Sequence, residues 1–484
     1  MKRILAVLIL VLFLTGCGAA EKKEENQVAP VVTLRYYTIG RVDPDLSLVN
    51  EKLNELMISR YGFGVDYQKL DWNEYENTVN EIINSNQNFD VMFTWDSHYL
   101  SHASQGAFLD LTEFLNDQGS DLKNAVDSRL WQGVKVDGKI CGVPTNKELA
   151  PVVQFLFSKE LVEKYDIKTA NFRTISSLEP LLAMIHREEP DVQPLLFTSE
   201  QTDLAQMIGY EYAAGRKLPF VVKLGDPECR ILNLYETEEM KELQSTLRRF
   251  YQKGYINQDA ALRTAISRFS DEQVFCRIGS GGPDSARSFS VDFGYPIVTM
   301  AASTPWVTNT SAQGGIMAVN AKTPYQEEAL TFLTAVNLDP EVRNLLNYGI
   351  SGVHYSLTDN DQVHVLSDRY RGVPYTQGNW FILKTMEGEE KDKWKNYQIY
   401  NDQAKSSCLL GFEPDLRQFT QAVNQVSQVY LRYDNALLTG SVDPDEYRAK
   451  ALTQMTLAGE ETVRRELQRQ VDHWLESNHA SMEK

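Results

Sequence analysis

Strands and helices alternate after residue 30, and this order constrains the fold more than any other feature of the chain. β-branched and aromatic residues predict strands, and apolar residues at helical spacing predict helices. The segments are strands over 31–38, 65–70 and 90–94 and helices over 46–61 and 72–84. Gly62 follows the first helix, and Asp71 precedes the second as a predicted N-cap. This order predicts an α/β fold with mostly parallel sheets flanked by helices.

The chain is long enough for more than one domain. Its 484 residues give room for two or three domains, and 42% hydrophobic with 24% charged residues is typical of a globular protein. Residues 414–477 are predicted to be nearly all helical, with a break at 438–444 where Asp443 and Pro444 suit a helix start. No segment after Cys17 has the run of about 18 apolar residues that indicates a membrane span.

The N-terminus has the layout of an export signal. Met1-Lys2-Arg3 and an apolar run over 4–14 lead into Leu14-Thr15-Gly16-Cys17. These last residues resemble the lipobox of bacterial lipoproteins, in which the cysteine thiol receives a diacylglyceryl group and becomes the new N-terminus. We therefore predict a signal peptide over 1–16, lipidation of Cys17 and a polar tether over 17–32. The alternative is an ordinary signal peptide in which the cysteine occurs by chance.

Net charge argues against two classes of partner. The formal charge is −18, and removal of Lys2 and Arg3 with the signal would make it −20. An acidic surface disfavours nucleic acid and anionic lipid, so the membrane is expected to be contacted through the anchor alone. The remaining cysteines are widely separated, and disulfides and buried free thiols are both compatible with their spacing. They are Cys141, Cys229, Cys276 and Cys408.

Several motifs occur in the order found in one family. They are 89–95 followed by 106–111, the Asp-Gly-Lys-Ile-Cys-Gly-Val-Pro segment within 136–146, 314–320 followed by 327–333, the insertion 375–380, and the stretch 466–474. Behind a lipobox, this series resembles the family 1 extracellular solute-binding proteins of ABC importers, the group that includes maltose-binding protein. The resemblance covers about residues 33–475.

The resemblance implies a two-lobed clamshell of the type II periplasmic-binding-protein kind. The first lobe is expected to comprise 33–145 and 300–350, and the second 148–297 and 355–475, followed by a tail over 476–484. It also implies that a small-molecule ligand, in this family mostly a sugar, binds between the lobes and is delivered to a separate ABC permease. We therefore expect a monomer on the extracellular face of the cell membrane, with no cofactor and no metal.

Sugar recognition predicts which residue types belong at the strand ends. Apolar sugar faces stack on aromatic rings, and planar polar side chains fix the hydroxyls. In the first lobe the candidates are Arg41, Asp43, Asp71, Trp95, Asp96 and His98. Each of three candidates also has a purely structural interpretation. Arg41 and Asp43 could form a solvated turn or a helix start, and Trp95 could pack between strand and helix.

The remaining candidates lie in the predicted second lobe or near the crossings between lobes. The glycine-rich stretch 279–284 resembles a family loop that carries cleft residues, and its alternative is a plain turn. The candidates are Pro283 and Asp284 in that loop, Thr198 and Glu200 after an apolar run, Trp306 near a crossing, Asn379 and Trp380 in an aromatic insertion, and Phe412 before the C-terminal helices.

Sequence motifs for catalysis are absent. HExxH, GxSxG, EF-hand and P-loop patterns do not occur, and adjacent carboxylates such as Glu188 and Glu189 diverge on a helix. We therefore predict a binding protein and not an enzyme. Two alternatives stay open: a surface carbohydrate-active enzyme whose distant carboxylates converge, and the same fold holding a peptide or an osmolyte.

Overall fold

Two separate hydrophobic cores form in a computed structural model of the chain, which describes residues 31–85, 88–199, 204–263 and 273–482. The first core draws mainly on 34–150 and 307–346, and the second on 155–276 and 409–471. Each core combines stretches that are distant in sequence. The chain therefore folds into two lobes, and neither lobe is contiguous.

The first lobe is built on a five-stranded sheet. Its strands, in spatial order, are Gly64–Leu70, Thr33–Ile39, Val91–Thr94, Ile316–Val319 and Val143–Pro144. The first three are parallel, whereas the last two run antiparallel to their neighbours. The flanking helices are Leu46–Tyr61, Tyr75–Asn84, Asp96–Ser104, Thr112–Asn116, Ser120–Ala125, Ser128–Gly133, Asn309–Ala312, Gln326–Leu338 and Pro340–Tyr348, with the hairpin Lys135–Val136 and Lys139–Ile140.

The second lobe has its own four-stranded sheet, in the order Ile297–Ala301, Val152–Ser158, Val274–Gly281 and Gln193–Leu195. Only the last pair is parallel. A smaller antiparallel sheet contains Leu232–Asn233, Phe220–Lys223 and Tyr210–Tyr212. The helices are Lys159–Lys164, Glu179–Glu188, Leu204–Met207, Glu238–Gln252, Ser285–Phe293, Thr420–Leu438, Pro444–Leu457 and Glu460–Met482.

The mixed strand directions correct the prediction of mostly parallel sheets. That prediction extended the alternation of the first hundred residues to the whole chain. The strand Ile316–Val319 instead enters the first sheet after the chain has passed through the second lobe, and it pairs antiparallel with Val91–Thr94. The α/β class itself holds, since helices flank both sheets.

Local signals set several element boundaries. The helix Leu46–Tyr61 has the predicted bounds, and Gly62 ends it with a φ of 84°, a conformation that favours glycine. The second helix begins at Tyr75 and not at Trp72, because the Asp71 carboxylate accepts a hydrogen bond from the Asn73 amide and closes a turn there. The predicted N-cap role of Asp71 is therefore wrong.

The C-terminal helices follow the sequence pattern. The Asp443 carboxylate accepts hydrogen bonds from the amides of Asp445 and Glu446 at 3.0 and 3.1 Å, and it starts the helix Pro444–Leu457 as predicted. Among the residues that the structure describes, no helix is both long and apolar enough to cross a membrane.

Three segments carry the chain between the lobes. The first crossing, 145–151, joins Val143–Pro144 to Val152–Ser158. The second and third crossings run side by side, because Trp306–Val307 and Lys405–Ser406 pair as parallel strands. The second and third connections therefore form one two-stranded ribbon between the lobes.

Residues 355–403, which we call the bridging insert, pack mainly on the first lobe. Tyr370 belongs to the first core, and its hydroxyl donates to the Leu346 carbonyl at 2.8 Å. The prediction that the second lobe begins again at residue 355 is therefore wrong for this stretch, since the chain reaches the second core only near Leu409. The insert contains the strands Tyr355–Leu357 and Val363–Val365, the helix Lys393–Gln403 and the 3-10 turns Pro374–Thr376 and Trp380–Ile382.

Candidate functional site

A cavity of about 790 Å³ lies between the lobes and is the candidate functional site. Its walls come from the first lobe near Arg41, from second-lobe residues between Ser280 and Val291, and from the bridging insert. The volume falls within the range of roughly 300–1,000 Å³ that is typical of small-molecule sites, which are common at domain interfaces.

The bridging insert supplies an aromatic wall to this cavity. Trp380, Trp394 and Tyr397 line it, and the ring centres of Trp394 and Tyr397 are 5.7 Å apart in an edge-to-face arrangement. The Trp394 indole nitrogen donates to the Leu383 carbonyl at 2.6 Å. Because each large ring packs against another, the wall is preorganised to receive an apolar surface.

A second aromatic surface follows the ends of the first-lobe strands. Tyr375 lines the cavity, and its ring centre lies 6.0 Å from that of Trp72, which is 45% exposed. Phe93 lies 6.5 Å from Tyr375, and Trp95 stacks on Phe93 at 5.4 Å. These rings continue the aromatic packing from the insert toward the first sheet.

The second-lobe wall is a glycine loop held by one glutamine. The Gln154 side-chain amide donates to the carbonyls of Gly281 and Gly282 at 3.2 and 3.1 Å, and the Ser285 hydroxyl donates to Gln154 at 2.6 Å. A side chain at Gly282 would lie 3.3 Å from Glu148, so glycine permits the loop to approach the first crossing. Residues 283–284 form a turn, so the stretch is both a turn and part of the cavity wall.

Glu148 is the most distinctive polar group of the cavity. It lies on the first crossing, its side chain is 13% exposed, and its Oε1 forms an ion pair with Lys147 at 3.0 Å. Its Oε2 is buried and has no hydrogen-bond partner among the described residues. A buried carboxylate oxygen without a donor is unfavourable, so the site favours a ligand that brings a hydroxyl or amide proton.

The structure brings three predicted site residues to the cavity lining. Arg41, Asp284 and Trp380 contribute to it directly, and Pro283 precedes Asp284 as an exposed residue of the glycine loop. Asp284 faces the Lys393 ammonium at 3.5 Å.

Asp43, by contrast, belongs to a buried ion pair away from the cavity lining. Its carboxylate contacts the Lys69 ammonium, and both side chains are fully buried. Arg41 approaches the other oxygen of Asp43 at 3.0 Å. Burial lowers the pKa of Lys69, although its bond to Asp43 opposes this shift. This network holds the end of the first strand and orients Arg41.

Two further candidates are occupied by structural contacts. Asn379 is buried, and its side chain bonds to the Asn337 carbonyl and the Phe381 amide at 3.4 and 3.0 Å. Phe412 is 5% exposed and packs on Trp474 in the second core. The structure therefore uses these side chains for packing and for fixing the chain, and neither lines the cavity.

The other candidates lie beside the cavity or elsewhere. Asp71 accepts a hydrogen bond from the Asn73 amide in an exposed turn, and Trp95, Asp96 and His98 surround the start of the helix Asp96–Ser104, where His98 pairs with Glu76 at 2.9 Å. Trp306 lies on the second crossing under the Lys405 ammonium. Thr198 is buried near the end of a short strand. Glu200 and Cys17 lie outside the described residues.

The sequence analysis missed several lining residues. Lys147 and Glu148 lie only a few positions after the Gly-Val-Pro motif that the sequence analysis singled out. Their closeness to that motif could have marked them as cavity residues. Trp394 and Tyr397 lie on a helix of the insert without a motif of their own, and their aromatic character alone did not separate them from core residues.

The chain belongs to the bacterial extracellular solute-binding proteins, because the model of that family matches residues 58–364. A second model, a domain of unknown function (DUF3502), matches residues 408–476. Three predictions are thereby confirmed: the family, the two-lobed α/β fold, and a solute-binding protein instead of an enzyme. As a member of this family, the protein works outside the cytoplasm.

Proteins of Streptococcus pneumoniae are among those to which this chain is similar. A carbohydrate ABC transporter substrate-binding protein of Streptococcus pneumoniae serotype 4 is 27% identical over 492 positions, covering 98% of this chain and 97% of the relative. The crystal structure of the N-glycan transport solute binding protein NgtS from Streptococcus pneumoniae is 27% identical, covers 92% of this chain and 100% of that chain, and gives a TM-score of 0.85. NgtS in complex with Man5GlcNAc gives 0.74, with 27% identity and coverage of 92% and 99%.

Proposed function

We propose that this protein captures an oligosaccharide of the N-glycan type between its lobes and delivers it to the permease of an ABC importer. The observation that carries the proposal is the cavity itself, which Trp380, Tyr397 and Glu148 line together, with one buried oxygen of Glu148 lacking a partner among the described residues. Rings and a buried hydrogen-bond acceptor are the groups that sugar faces and sugar hydroxyls need. The relatives named for carbohydrate and N-glycan transport support this ligand class.

A hinge motion is part of the proposal. The TM-score to NgtS is 0.85 for the structure described without a glycan and 0.74 for the complex with Man5GlcNAc. Such a difference supports a two-lobed protein whose lobes close on ligand about the crossings. The permease would then recognise the closed form of a monomer, because ligand stabilises that form.

An osmolyte is a weaker candidate ligand on electrostatic grounds. A quaternary ammonium group needs aromatic faces that no other cation occupies. The Lys393 ammonium already lies 4.8 Å from the centre of the Trp394 ring and 6.0 Å from that of Tyr397. These two rings already hold a cation and are therefore not an empty cage for a quaternary ammonium group.

The first test is a binding assay with residues 18–484. We expect Man5GlcNAc to produce a saturable change in tryptophan fluorescence and a rise in melting temperature, because closure over the aromatic wall alters the surroundings of Trp380 and Trp394. A short peptide and glycine betaine serve as controls for the other ligand classes. The proposal would be contradicted if Man5GlcNAc and mannose oligosaccharides changed neither the fluorescence nor the melting temperature, or if the protein consumed the glycan.

We further propose that a lipid on Cys17 anchors the protein to the outer face of the cell membrane. Support comes from the Leu-Thr-Gly-Cys sequence behind a short apolar run and from an extracellular family. Two acyl chains give stable anchoring where one would be marginal. Cys17→Ser is expected to release the protein into the medium or leave its signal uncleaved, and mass spectrometry of the wild-type N-terminus should show the diacylglyceryl group. An unmodified wild-type Cys17 would contradict the anchor.

A further inference from the structure

One backbone carbonyl connects the first core with the cleft wall. The Pro374 oxygen accepts a hydrogen bond from Arg343 Nη2 at 2.9 Å and a second from Trp380 Nε1 at 2.9 Å. Pro374 and Trp380 both line the cavity. A buried guanidinium and a cleft aromatic ring therefore share a single acceptor atom.

Arg343 is an unusual residue for the interior of a lobe. It is completely buried, and burial lowers its pKa to about 10, so it stays charged at neutral pH. No described carboxylate forms an ion pair with it, and Tyr36, Tyr67 and Tyr370 are among its neighbours. Burying an unpaired charge costs free energy, and an apolar side chain of similar volume would often be at least as stable here. Core stability alone therefore does not account for an arginine.

The backbone around Trp380 has hydrogen bonds of its own. The Trp380 amide donates to the Asn146 carbonyl at 2.9 Å, and the Asn146 amide donates to the Gly378 carbonyl at 3.0 Å. The indole nitrogen has a different anchor, which is the Pro374 oxygen. Arg343 donates to the same oxygen, so the guanidinium and the indole ring meet at one peptide group.

We propose that Arg343 is a positioning residue of the cleft, which holds the Pro374 carbonyl and through it orients the Trp380 ring for stacking on the ligand. The inference rests on the proposed function, because it takes Trp380 as a surface for bound sugar. A charged donor bonds a carbonyl more strongly than a neutral one does, so the guanidinium is suited to fix a peptide group.

The test uses the full mature chain with ¹⁵N-labelled tryptophan. In Arg343→Met we expect the Trp380 indole resonance, assigned with Trp380→Phe, to move or broaden, and affinity for Man5GlcNAc to fall about fivefold, with the melting temperature retained. The matched control is Arg248→Met, because Arg248 donates to the Gly440 and Ser441 carbonyls in the second lobe at 3.1 Å. That variant should leave the Trp380 resonance and the affinity unchanged.

An unchanged Trp380 resonance and affinity in folded Arg343→Met would overturn the inference. Should this variant fail to fold, hydrogen exchange in the wild-type protein decides: a slowly exchanging Trp380 indole proton supports the bond to Pro374, and a rapidly exchanging one removes its basis. If the wild-type protein binds no glycan, the proposed function fails, whereas the indole resonance still reports whether Arg343 positions the ring.

Discussion

Replacing Glu148 by glutamine is expected to weaken Man5GlcNAc binding by about 10- to 100-fold. The carboxylate sits on the first crossing, which lines the cavity, with one oxygen paired to Lys147 and the other buried without a hydrogen-bond partner among the described residues. A hydrogen bond to a charged group contributes about 1.5–3 kcal/mol, and every ~1.4 kcal/mol is a factor of ten in affinity. Glutamine keeps the shape of the side chain but removes that charge.

Calorimetric titration of wild type and Glu148→Gln measures this effect directly. The matched control is Glu163→Gln, because Glu163 is 68% exposed on a second-lobe helix far from the cavity lining. Its affinity should equal that of the wild type. A Glu148→Gln variant that melts like the wild type and binds the glycan within twofold would contradict the role given to Glu148.

Features set by short-range chemistry could be predicted from the sequence. The helix Leu46–Tyr61 was predicted with its observed bounds, since apolar spacing and the following glycine specify both ends. The helix after Asp71 was predicted too long, because the sequence does not show that the carboxylate closes a turn with Asn73 before the helix begins. Competing hydrogen bonds of short polar side chains decide such boundaries.

Features set by long-range packing could not be predicted in the same way. The direction of Ile316–Val319 in the first sheet depends on the path of the chain through the other lobe. The resemblance to the family assigned the bridging insert to the second lobe, but Tyr370 buries its ring in the first core. Nothing local to residues 355–403 encodes which core they cover.

The candidate site likewise contains residues that could be predicted from the sequence and residues whose role depends on tertiary packing. Arg41, Asp284 and Trp380 were predicted from strand ends and from the aromatic insertion, and they line the cavity. Asp43 is equally suitable for sugar binding by residue type and position, yet its carboxylate forms an ion pair with the fully buried Lys69. The partner of a carboxylate is a tertiary property, so a sequence that shows a plausible ligand residue does not show whether that residue is free.

The cysteines pair in a way that the sequence left open. Cys229 and Cys408 form a disulfide across 179 residues, whereas Cys141 and Cys276 are buried free thiols. Cys408 lies where the third crossing enters the second core, next to Leu409. The bond therefore ties the start of the C-terminal segment to the smaller sheet region of the same lobe.

Removing this disulfide should lower the free energy of unfolding by about 2–5 kcal/mol. The chain-entropy relation for a loop of this length gives ~5 kcal/mol, at the upper end of the usual range, because the bond restricts a long segment of the unfolded chain. For a protein of this size each ~1 kcal/mol shifts the melting temperature by about 2–4 °C or less. Calorimetry of Cys229→Ala/Cys408→Ala is therefore expected to show a fall of several degrees.

The free thiols provide the matched control for this variant. Cys141→Ala/Cys276→Ala removes two buried thiols and breaks no covalent bond, so its smaller loss of stability measures the packing contribution of buried sulfur. A reductant should lower the melting temperature of this control and leave Cys229→Ala/Cys408→Ala unchanged. Glycan affinity should survive in both variants, since none of the four cysteines lines the cavity. Equal melting temperatures for the two double variants would show that the covalent bond contributes nothing beyond packing.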